Sequence, residues 1–296
     1  TPFTREGAVD RPSLRRLVAY LQQGGVEEYF VAGSTGEAPL LDDADRLSVI
    51  ETVRAAAPGG LVYAGISGMG HRQALRNAQE AARAGADMAV VMTPYFVALD
   101  QAQLETYATA IADSCPVPLA LYHHLRMPTP FAVSTVARLA AHPNIAAIKD
   151  TNGSEHNRCA EILAATVGRD FKFFQGVEKL VHPTLAAGGH GCVVAQGCIA
   201  PQLFRGLFAA WEAGEVDRSA ELQAQIDTLW GIFLRREVKQ SFSHFLHTMK
   251  LPLQRRGVLS TTAGALPGVT FEPEFEQMID EFMQKHLEAA PALRTP

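Results

Sequence analysis

The sequence is short of charged residues and of cysteine. Charged side chains make up 19% of its 296 residues and the formal net charge is -5, so no basic surface for nucleic acid or an anionic membrane is expected. No apolar run approaches the roughly 18 residues that a membrane-spanning helix needs. The four cysteines, Cys115, Cys159, Cys192 and Cys198, include no CxxC pair. So few cysteines are typical of reduced thiols, and we expect a globular, cytoplasmic protein.

Patterns of metal ligands are missing as well. No HxxxH or HExxH motif occurs, and the spacing of Cys192 and Cys198 matches no usual zinc site. His123 and His124 are adjacent, so on a strand their side chains would point to opposite sides. We therefore expect no bound metal.

Short apolar runs alternate with amphipathic stretches along most of the chain. Such alternation predicts βαβ units and a parallel sheet, and runs that are apolar throughout suit strands buried on both faces. The predicted strands are Tyr29–Ala32, Leu61–Ala64, Met88–Met92, Leu119–Tyr122, Ile145–Ile148, Phe171–Phe174 and Cys192–Ala195. The predicted helices between them include Asp42–Ala57, His71–Ala84, Gln101–Asp113, Val133–Ala141 and Ser154–Thr166. An open doubly wound sheet is the alternative to a closed barrel, but no GxGxxG follows the first run.

A closed (β/α)8 TIM barrel needs one strand more than these runs supply. Thr1–Phe3 directly precede a turn, and we expect them to be the end of a first strand whose beginning is missing from this sequence. After about Pro201 the pattern changes to helices without strands, predicted at Glu212–Leu234, Glu237–Met249 and Glu272–Leu287. The sequence therefore predicts a barrel over residues 1–214, with a truncated first strand, and a C-terminal helical segment over residues 215–296 packed on it.

Lys149 is the first candidate for chemistry, because catalytic groups of such barrels lie at the C-terminal ends of the strands. It follows the apolar run Ile145–Ile148, and apolar surroundings disfavour the charged form of a lysine. A neutral amine is the form that attacks a ketone to give a Schiff base. The alternative is a structural lysine paired with Asp150. Lys172 serves as the comparison, since it lies near the start of its strand and therefore at the opposite end of the barrel.

Two further elements lie at predicted strand ends. Tyr122 ends the run Leu119–Tyr122, and its phenol suits proton transfer, although a core tyrosine is the alternative. Gly33-Ser34-Thr35-Gly36-Glu37 follows the first run, and its hydroxyls and backbone N–H groups form an anion site sized for a carboxylate. The alternative is an ordinary turn with helix-capping residues.

Together these elements resemble the dihydrodipicolinate synthase / N-acetylneuraminate lyase family. The resemblance runs from residue 1 to about residue 201, with weaker similarity in the helical tail. Six motifs carry it in the family's order: Thr1-Pro2-Phe3, Gly33-Ser34-Thr35-Gly36-Glu37, Thr93-Pro94-Tyr95-Phe96, Leu121-Tyr122, Ile148-Lys149-Asp150 and Gly188-Gly189-His190-Gly191. The resemblance implies a (β/α)8 barrel, a homotetramer, and a Schiff base between Lys149 and pyruvate or a related 2-oxo acid.

The resemblance also implies a role for each site residue. Lys149, Tyr122 and Ser34 are expected to be catalytic, with Lys149 as the Schiff-base amine and Tyr122 as the proton shuttle. The expected substrate-binding residues are Gly33, Thr35, Arg126 and Val193, the last through its backbone carbonyl. The protonated imine takes the place of a Lewis acid, so neither a metal nor an organic cofactor is expected. The leading prediction is an aldolase or lyase acting on pyruvate or a sugar-acid-like 2-oxo acid.

Three departures from the family pattern bear on the substrate. The family often has Tyr-Asn-x-Pro where this chain has Tyr122-His123-His124-Leu125, and Phe96 stands where many members have a tyrosine that reaches into a neighbouring subunit's site. Arg126 is one residue out of register with the arginine that binds aspartate semialdehyde in the synthases. A dihydrodipicolinate synthase and a dehydratase of 2-oxo-3-deoxy sugar acids are the alternatives within the family. A non-catalytic 2-oxo-acid sensor is the alternative from another class, and the presence of Lys149 argues against it.

Overall fold

Seven parallel strands form one sheet, and their order in space is their order along the chain. The computed structural model describes residues 1–124, 126–152, 158–233, 241–266, 268 and 270–286. The strands are β1 (Glu28–Val31), β2 (Leu61–Gly65), β3 (Met88–Met92), β4 (Leu119–His124), β5 (Ile145–Thr151), β6 (Lys172–Gln175) and β7 (Gly191–Cys192). A doubly wound sheet reverses its strand order, so this order contradicts the open-sheet alternative. It is consistent with a barrel-like (β/α) fold.

The predicted strands are confirmed, with shifts at their ends. β5 continues three residues past Ile148, so Lys149 lies within the strand and not after it. β7 covers Gly191–Cys192, whereas Cys192–Ala195 was predicted. The reason is its partner: β6 ends at Gln175, which pairs with Cys192, so the pairing of these two strands ends there.

The expected first strand is not found at the start of the chain. Phe3 makes a single antiparallel bridge with Val9, outside any strand. Within the described residues the sheet has seven strands. The closed eight-stranded barrel therefore stays a prediction.

The helices confirm most of the predicted amphipathic stretches. They are α1 (Arg11–Gln23), α2 (Asp43–Ala56), α3 (His71–Arg83), α4 (Gln101–Ala112), α5 (Val133–Leu139), α6 (Arg158–Ala165), α7 (Val181–Ala186), α8 (Pro201–Glu212), α9 (Val216–Phe233), α10 (Phe242–Arg255) and α11 (Pro273–His286). Residues 154–157 of the helix predicted at Ser154–Thr166, and the ends of other predicted helices, lie outside the described residues. No helix in the described part of the chain has both the length and the apolar character needed to cross a membrane.

Two C-terminal helices differ from the prediction. The helix predicted at Glu212–Leu234 is found as α9, but it begins at Val216, and Leu234 lies outside the described residues. Glu212 instead ends α8, because Gly214, with a φ of +77°, ends that helix in the manner that favours glycine. α10 runs through Pro252, which lacks the N–H of a helical residue but lies in the last turn. Leu251 and Leu253 are buried on either side of it and hold that turn in place.

The chain forms two compact units. One comprises Glu28–Gly33 and Gly60–Val194, and contains the whole sheet with α3–α7. The other comprises Thr1–Glu27, Ser34–Gly59 and Ala195–Pro296, and contains α1, α2 and α8–α11. The boundary predicted between residues 214 and 215 stays a prediction.

Candidate active site

The register of β4 and β5 brings Tyr122 and Lys149 together. In this parallel pair Tyr122 lies opposite Lys149, and the next two residues, His123 and Asp150, lie opposite each other. Because successive side chains of a strand point to opposite faces, Tyr122 and Lys149 share one face of the sheet. His123 and Asp150 share the other face.

The amine of Lys149 lies against two aromatic rings. Its Nζ is 4.3 Å from the centroid of the Tyr122 ring and 5.0 Å from the centroid of the Phe30 ring. The two rings are edge-on to each other, with their centroids 5.9 Å apart. Lys149 itself is half-buried. The apolar surroundings predicted for this lysine are therefore found, and they come from β1 and β4.

Tyr122 is both a core residue and a neighbour of the amine. It is 1% exposed and packs in a cluster of apolar side chains. The buried members are Val90, Met92, Ala120, Tyr122 and Ala147, and the partly buried side chains against them are Phe30, Tyr63, Met88, Tyr95, Met127 and Phe174. The two roles considered for Tyr122 are thus compatible. Packing fixes the ring against the Lys149 amine, and its role as a proton shuttle stays a prediction.

Asp150 is bound to partners other than Lys149. Its Oδ2 accepts a hydrogen bond from Arg158 Nε at 2.5 Å and lies 3.1 Å from His123 Nδ1. Burial raises the pKa of the Asp150 carboxyl, but the hydrogen bond and charge of His123 and the charge of Arg158 outweigh burial and hold that pKa below its ordinary value. These contacts contradict the alternative in which Lys149 is a structural lysine held by Asp150.

His124 lies two residues after Tyr122, on the face that carries Lys149. Its Nδ1 accepts the backbone N–H of Arg126 at 3.1 Å, so the neutral ring carries its proton on Nε2. Burial, with the charges of Arg126 and Lys149, lowers the pKa of His124 to about 4. His124 Nε2 lies 3.4 Å from Arg126 Nη1. Both atoms are donors in this tautomer, and two adjacent donors suit one acceptor oxygen of a substrate.

Gly33 is explained by its packing against Phe30. A Cβ at this position would lie 2.7 Å from Cε1 of the Phe30 ring, the same ring that contacts Lys149. Any side chain at residue 33 would therefore displace the Phe30 ring from its place against the Lys149 amine. Its predicted part in substrate binding stays a prediction.

Ser34 and Thr35 belong to a closed turn that ends at Glu37. The backbone N–H of Glu37 donates to the Ser34 carbonyl at 3.1 Å, and Ser34 and Thr35 are half-buried. Helix α2 is capped by Asp42, whose side chain accepts the N–H of Asp45 at 2.7 Å. Because that cap lies several residues further on, the hydroxyls of Ser34 and Thr35 are not its helix caps, which contradicts the capping alternative.

Val193, Lys172 and Phe96 were also singled out in the sequence, and each has defined surroundings in the structure. The backbone N–H of Val193 donates to the Gln175 carbonyl at 2.8 Å, while the role of its own carbonyl stays a prediction. Lys172 opens β6 and pairs with Asp170, and its side chain is 50% exposed, as expected for the comparison lysine. Phe96 is 83% exposed.

The described residues contain no group of three or more His, Cys, Asp or Glu side chains that could hold a metal ion. All four cysteines are free, and Cys115 and Cys159 are buried. Burial raises the pKa of the Cys159 thiol to about 11, which keeps it protonated and unreactive near neutral pH. Cys159 is therefore not a nucleophile that competes with Lys149.

A comparison with known families decides the membership of the chain. The model of the dihydrodipicolinate synthetase family matches residues 1–285. The chain belongs to this family. The family and the enzyme class predicted from the sequence, a lyase, are thereby confirmed.

Individual relatives of this dihydrodipicolinate synthetase family member agree in sequence and in fold. The 4-hydroxy-tetrahydrodipicolinate synthase of Acidiphilium cryptum is 34% identical over 228 residues, 76% of this chain and 77% of that protein. The corresponding synthase of Natronomonas pharaonis is 28% identical over 288 residues, 96% of this chain and 94% of that protein. A prophage protein of the family from E. coli K12, solved in complex with pyruvate, superimposes with a TM-score of 0.88 at 26% identity, covering 96% of this chain and 95% of that one.

Proposed function

We propose that this family member is a lyase that forms a Schiff base between Lys149 and pyruvate or a related 2-oxo acid. The observation that carries the proposal is the position of the Lys149 amine, 4.3 Å from the Tyr122 ring centroid on a shared face of β4 and β5. Imine formation requires an amine that attacks the ketone and a group that exchanges protons, and the proposal assigns these roles to Lys149 and Tyr122. The pyruvate bound to the related prophage protein supports the class of substrate.

The reaction begins with addition of the neutral Lys149 amine to the keto carbon, which gives a carbinolamine. Tyr122 delivers the proton with which the hydroxyl leaves as water, and a protonated imine remains. When the C3–C4 bond breaks, its electron pair moves into the protonated imine and forms an enamine. The C4 fragment leaves as an aldehyde, and the proton of its hydroxyl passes to the Tyr122 phenolate left by the preceding step. Protonation at C3 and hydrolysis then release pyruvate and restore the amine, and condensation is the reverse sequence. Ser34 and Thr35 hold the carboxylate of the 2-oxo acid throughout.

The second substrate is proposed to be bound by His124 and Arg126. The adjacent donors, His124 Nε2 and Arg126 Nη1, suit an anionic or hydroxyl oxygen, as found on a sugar-acid-like substrate. His124 contributes as a neutral donor, since its pKa of about 4 keeps the ring uncharged near neutral pH. This assignment favours an aldolase or lyase of sugar-acid-like 2-oxo acids.

A 4-hydroxy-tetrahydrodipicolinate synthase is the second candidate, because relatives such as that of Acidiphilium cryptum bear this name. Two residues weigh against it. Phe96 lacks the hydroxyl of the tyrosine expected there, and Met127 stands near the place of the expected arginine. The dehydratase alternative differs from the aldolase only in which bond at the imine breaks, so the identity of the products distinguishes the two.

The family resemblance also supports a homotetramer, which is part of the proposal. Exposed apolar side chains such as Phe96, Val97 and Met69 are compatible with contacts between copies. Sedimentation equilibrium at several concentrations measures the assembly directly. A protein that remains monomeric at micromolar concentration contradicts this part.

The test of the central proposal is borohydride trapping. Incubation with pyruvate and borohydride should leave a reduced adduct that peptide mass spectrometry places on Lys149. The Lys149→Arg variant should lose the adduct, and the matched Lys172→Arg variant should retain it. An adduct on Lys172, or none with any 2-oxo acid, contradicts the proposal. Adduct formation without turnover of any 2-oxo acid favours the sensor.

A further inference from the structure

Glu37 ends the turn that carries Ser34 and Thr35 in a conformation that side chains rarely adopt. Its φ is +63°, in the left-handed region, which is unfavourable for residues other than glycine, asparagine and aspartate. Its backbone N–H donates to the Ser34 carbonyl at 3.1 Å, and its carbonyl accepts from Leu40 N at 2.8 Å. The geometry of the turn therefore depends on what holds Glu37.

Lys250 on α10 supplies the principal contact. Its Nζ donates to Glu37 Oε1 at 2.5 Å and to the Ala263 carbonyl at 2.7 Å. The other carboxylate oxygen, Oε2, accepts the backbone N–H of Ala265 at 2.8 Å. Both side chains are buried, with Glu37 3% and Lys250 6% exposed. Each oxygen of the carboxylate thus has a defined donor, and both donors belong to the C-terminal part of the chain.

A buried ion pair of this kind is weak evidence for stability. Burial lowers the pKa of the Lys250 ammonium, while the charge and hydrogen bond of Glu37 raise it, and the net pKa stays below its ordinary value. The desolvation of two charges offsets much of their attraction, so packed apolar groups can stabilise a fold equally well. What an ion pair adds is a fixed position, here that of a residue with left-handed backbone conformation.

The segment around Gly264 is closely packed against the same pair. A Cβ at Gly264 would lie 2.9 Å from Glu37 Oε2 and 2.9 Å from His247 Nε2. His247 is 2% exposed, and its Nδ1 is bonded to the Thr262 carbonyl at 2.9 Å. A methyl group at residue 264 would therefore press on the Glu37 carboxylate without removing Lys250. This offers a second, independent way to disturb the turn.

We propose that Lys250 is a positioning residue for the 2-oxo-acid carboxylate: through Glu37 it fixes the Ser34–Glu37 turn and with it the hydroxyls of Ser34 and Thr35. This inference rests on the proposed function, which assigns carboxylate binding to that turn. Lys250 contacts no substrate and forms no adduct. Its loss acts on the affinity for pyruvate more than on the chemical step, because the turn binds the ground-state carboxylate and Lys149 performs the addition.

The experiment measures the pyruvate dependence of borohydride trapping. In Lys250→Met the half-saturating pyruvate concentration should rise at least tenfold, while the maximal trapping rate changes less than threefold. Lys250→Arg retains the charge and should recover part of the affinity. The matched control is Tyr20→Phe, which removes the hydrogen bond from a buried phenol to the Ile199 carbonyl and leaves the turn untouched. The thermal unfolding temperature of each variant is measured as well, so that a loss of folded protein is not mistaken for a loss of pyruvate affinity.

The outcomes separate this inference from the proposed function. Wild-type protein trapped on Lys149 supports the function, whatever the Lys250 variants do. The positioning role is overturned if the half-saturating pyruvate concentration rises no more in Lys250→Met than in Tyr20→Phe. It is also overturned if the maximal trapping rate falls equally in both variants. If Lys250→Met does not fold, Gly264→Ala takes its place and the same tenfold shift is expected. An unchanged curve in folded Gly264→Ala then refutes the inference.

Discussion

His123 and His124 are adjacent in the chain and leave β4 on opposite faces. His123 lies 3.1 Å from the Asp150 carboxylate, whereas the His124 ring stands edge-on to Tyr122 with the centroids 5.8 Å apart. Only His124 therefore shares the face of Lys149. If Tyr122 is the proton shuttle that we propose, we expect its protons to pass to His124 or to water. His123 is bound to Asp150 on the other face.

The first prediction concerns His124 and acid stability. The native pKa of about 4 lies below the ordinary value of 6.5, so between pH 6.5 and pH 4 the unfolded chain binds a proton that the native protein excludes. The free energy of unfolding therefore falls as the pH is lowered through this window. His124→Gln should remove on the order of 1–3 kcal/mol of this decline.

Urea unfolding at several pH values between 7 and 4 measures this difference. His71→Gln is the matched control, since His71 is exposed at the start of α3. If the free energy of unfolding declines equally with falling pH in wild type, His71→Gln and His124→Gln, burial of His124 does not govern acid stability.

The second prediction concerns Tyr122 as the proton shuttle. Tyr122→Phe keeps the ring, and therefore the packing against Phe30, but removes the phenolic proton. kcat should fall by about 10²–10⁴-fold, the usual contribution of a positioned acid or base, with little change in the KM for the 2-oxo acid that is cleaved. Steady-state kinetics with pyruvate release as the readout measure both. A kcat within threefold of wild type would leave Tyr122 as a packing residue only.

The third prediction concerns the hydroxyl of Thr35. Thr35→Val is nearly isosteric and removes one hydrogen bond to the 2-oxo-acid carboxylate. Pyruvate binding should weaken by about 1–3 kcal/mol, which is roughly a fivefold to 150-fold rise in half-saturating concentration. Thr106→Val is the control, because its hydroxyl bonds to the Ala102 carbonyl on the exposed side of α4. Unchanged pyruvate affinity in Thr35→Val means that the turn is purely structural.

The fourth prediction concerns aspartate semialdehyde as the second substrate. Phe96 has no proton to pass, and Arg126 is out of register, so condensation should be poor although the imine forms. In an assay coupled to dihydrodipicolinate reductase, kcat/KM should stay below roughly 10⁴ M⁻¹s⁻¹, the lower end for ordinary enzymes. The borohydride trap on the same preparation shows that the protein is competent.

Phe96→Tyr combined with Met127→Arg is the informative variant for that assay. If the two missing groups are the cause, the double variant gains activity with aspartate semialdehyde. Efficient condensation by the wild-type protein would instead make the synthase the correct function and the sugar-acid assignment wrong.

The sequence alone was enough to place the strands and to single out Lys149 as the candidate amine. Runs such as Met88–Met92 and Ile145–Ile148 are apolar at every position, which suits strands buried on both faces, and each is found within a few residues of its predicted place. Lys149 stands out because it directly follows such a run, and this can be recognised from the local sequence without long-range information. The alternation of side chains along a strand is by itself enough to place His123 and His124 on opposite faces.

The tertiary structure decided which residues contact one another at the site and around it. Glu37 and Lys250 are 213 residues apart in the chain, so no local pattern connects them, although they form one buried ion pair. Asp150 precedes Arg158 by eight residues, but their bond depends on where α6 begins, and five of the residues between lie outside the described part. The length of β7 was set by the end of its neighbour β6, and the register of β4 with β5 alone brought Tyr122 to Lys149. Propensity and periodicity act over a few residues, whereas pairing, burial and charge compensation act through space, and the chemistry of this site depends on the latter.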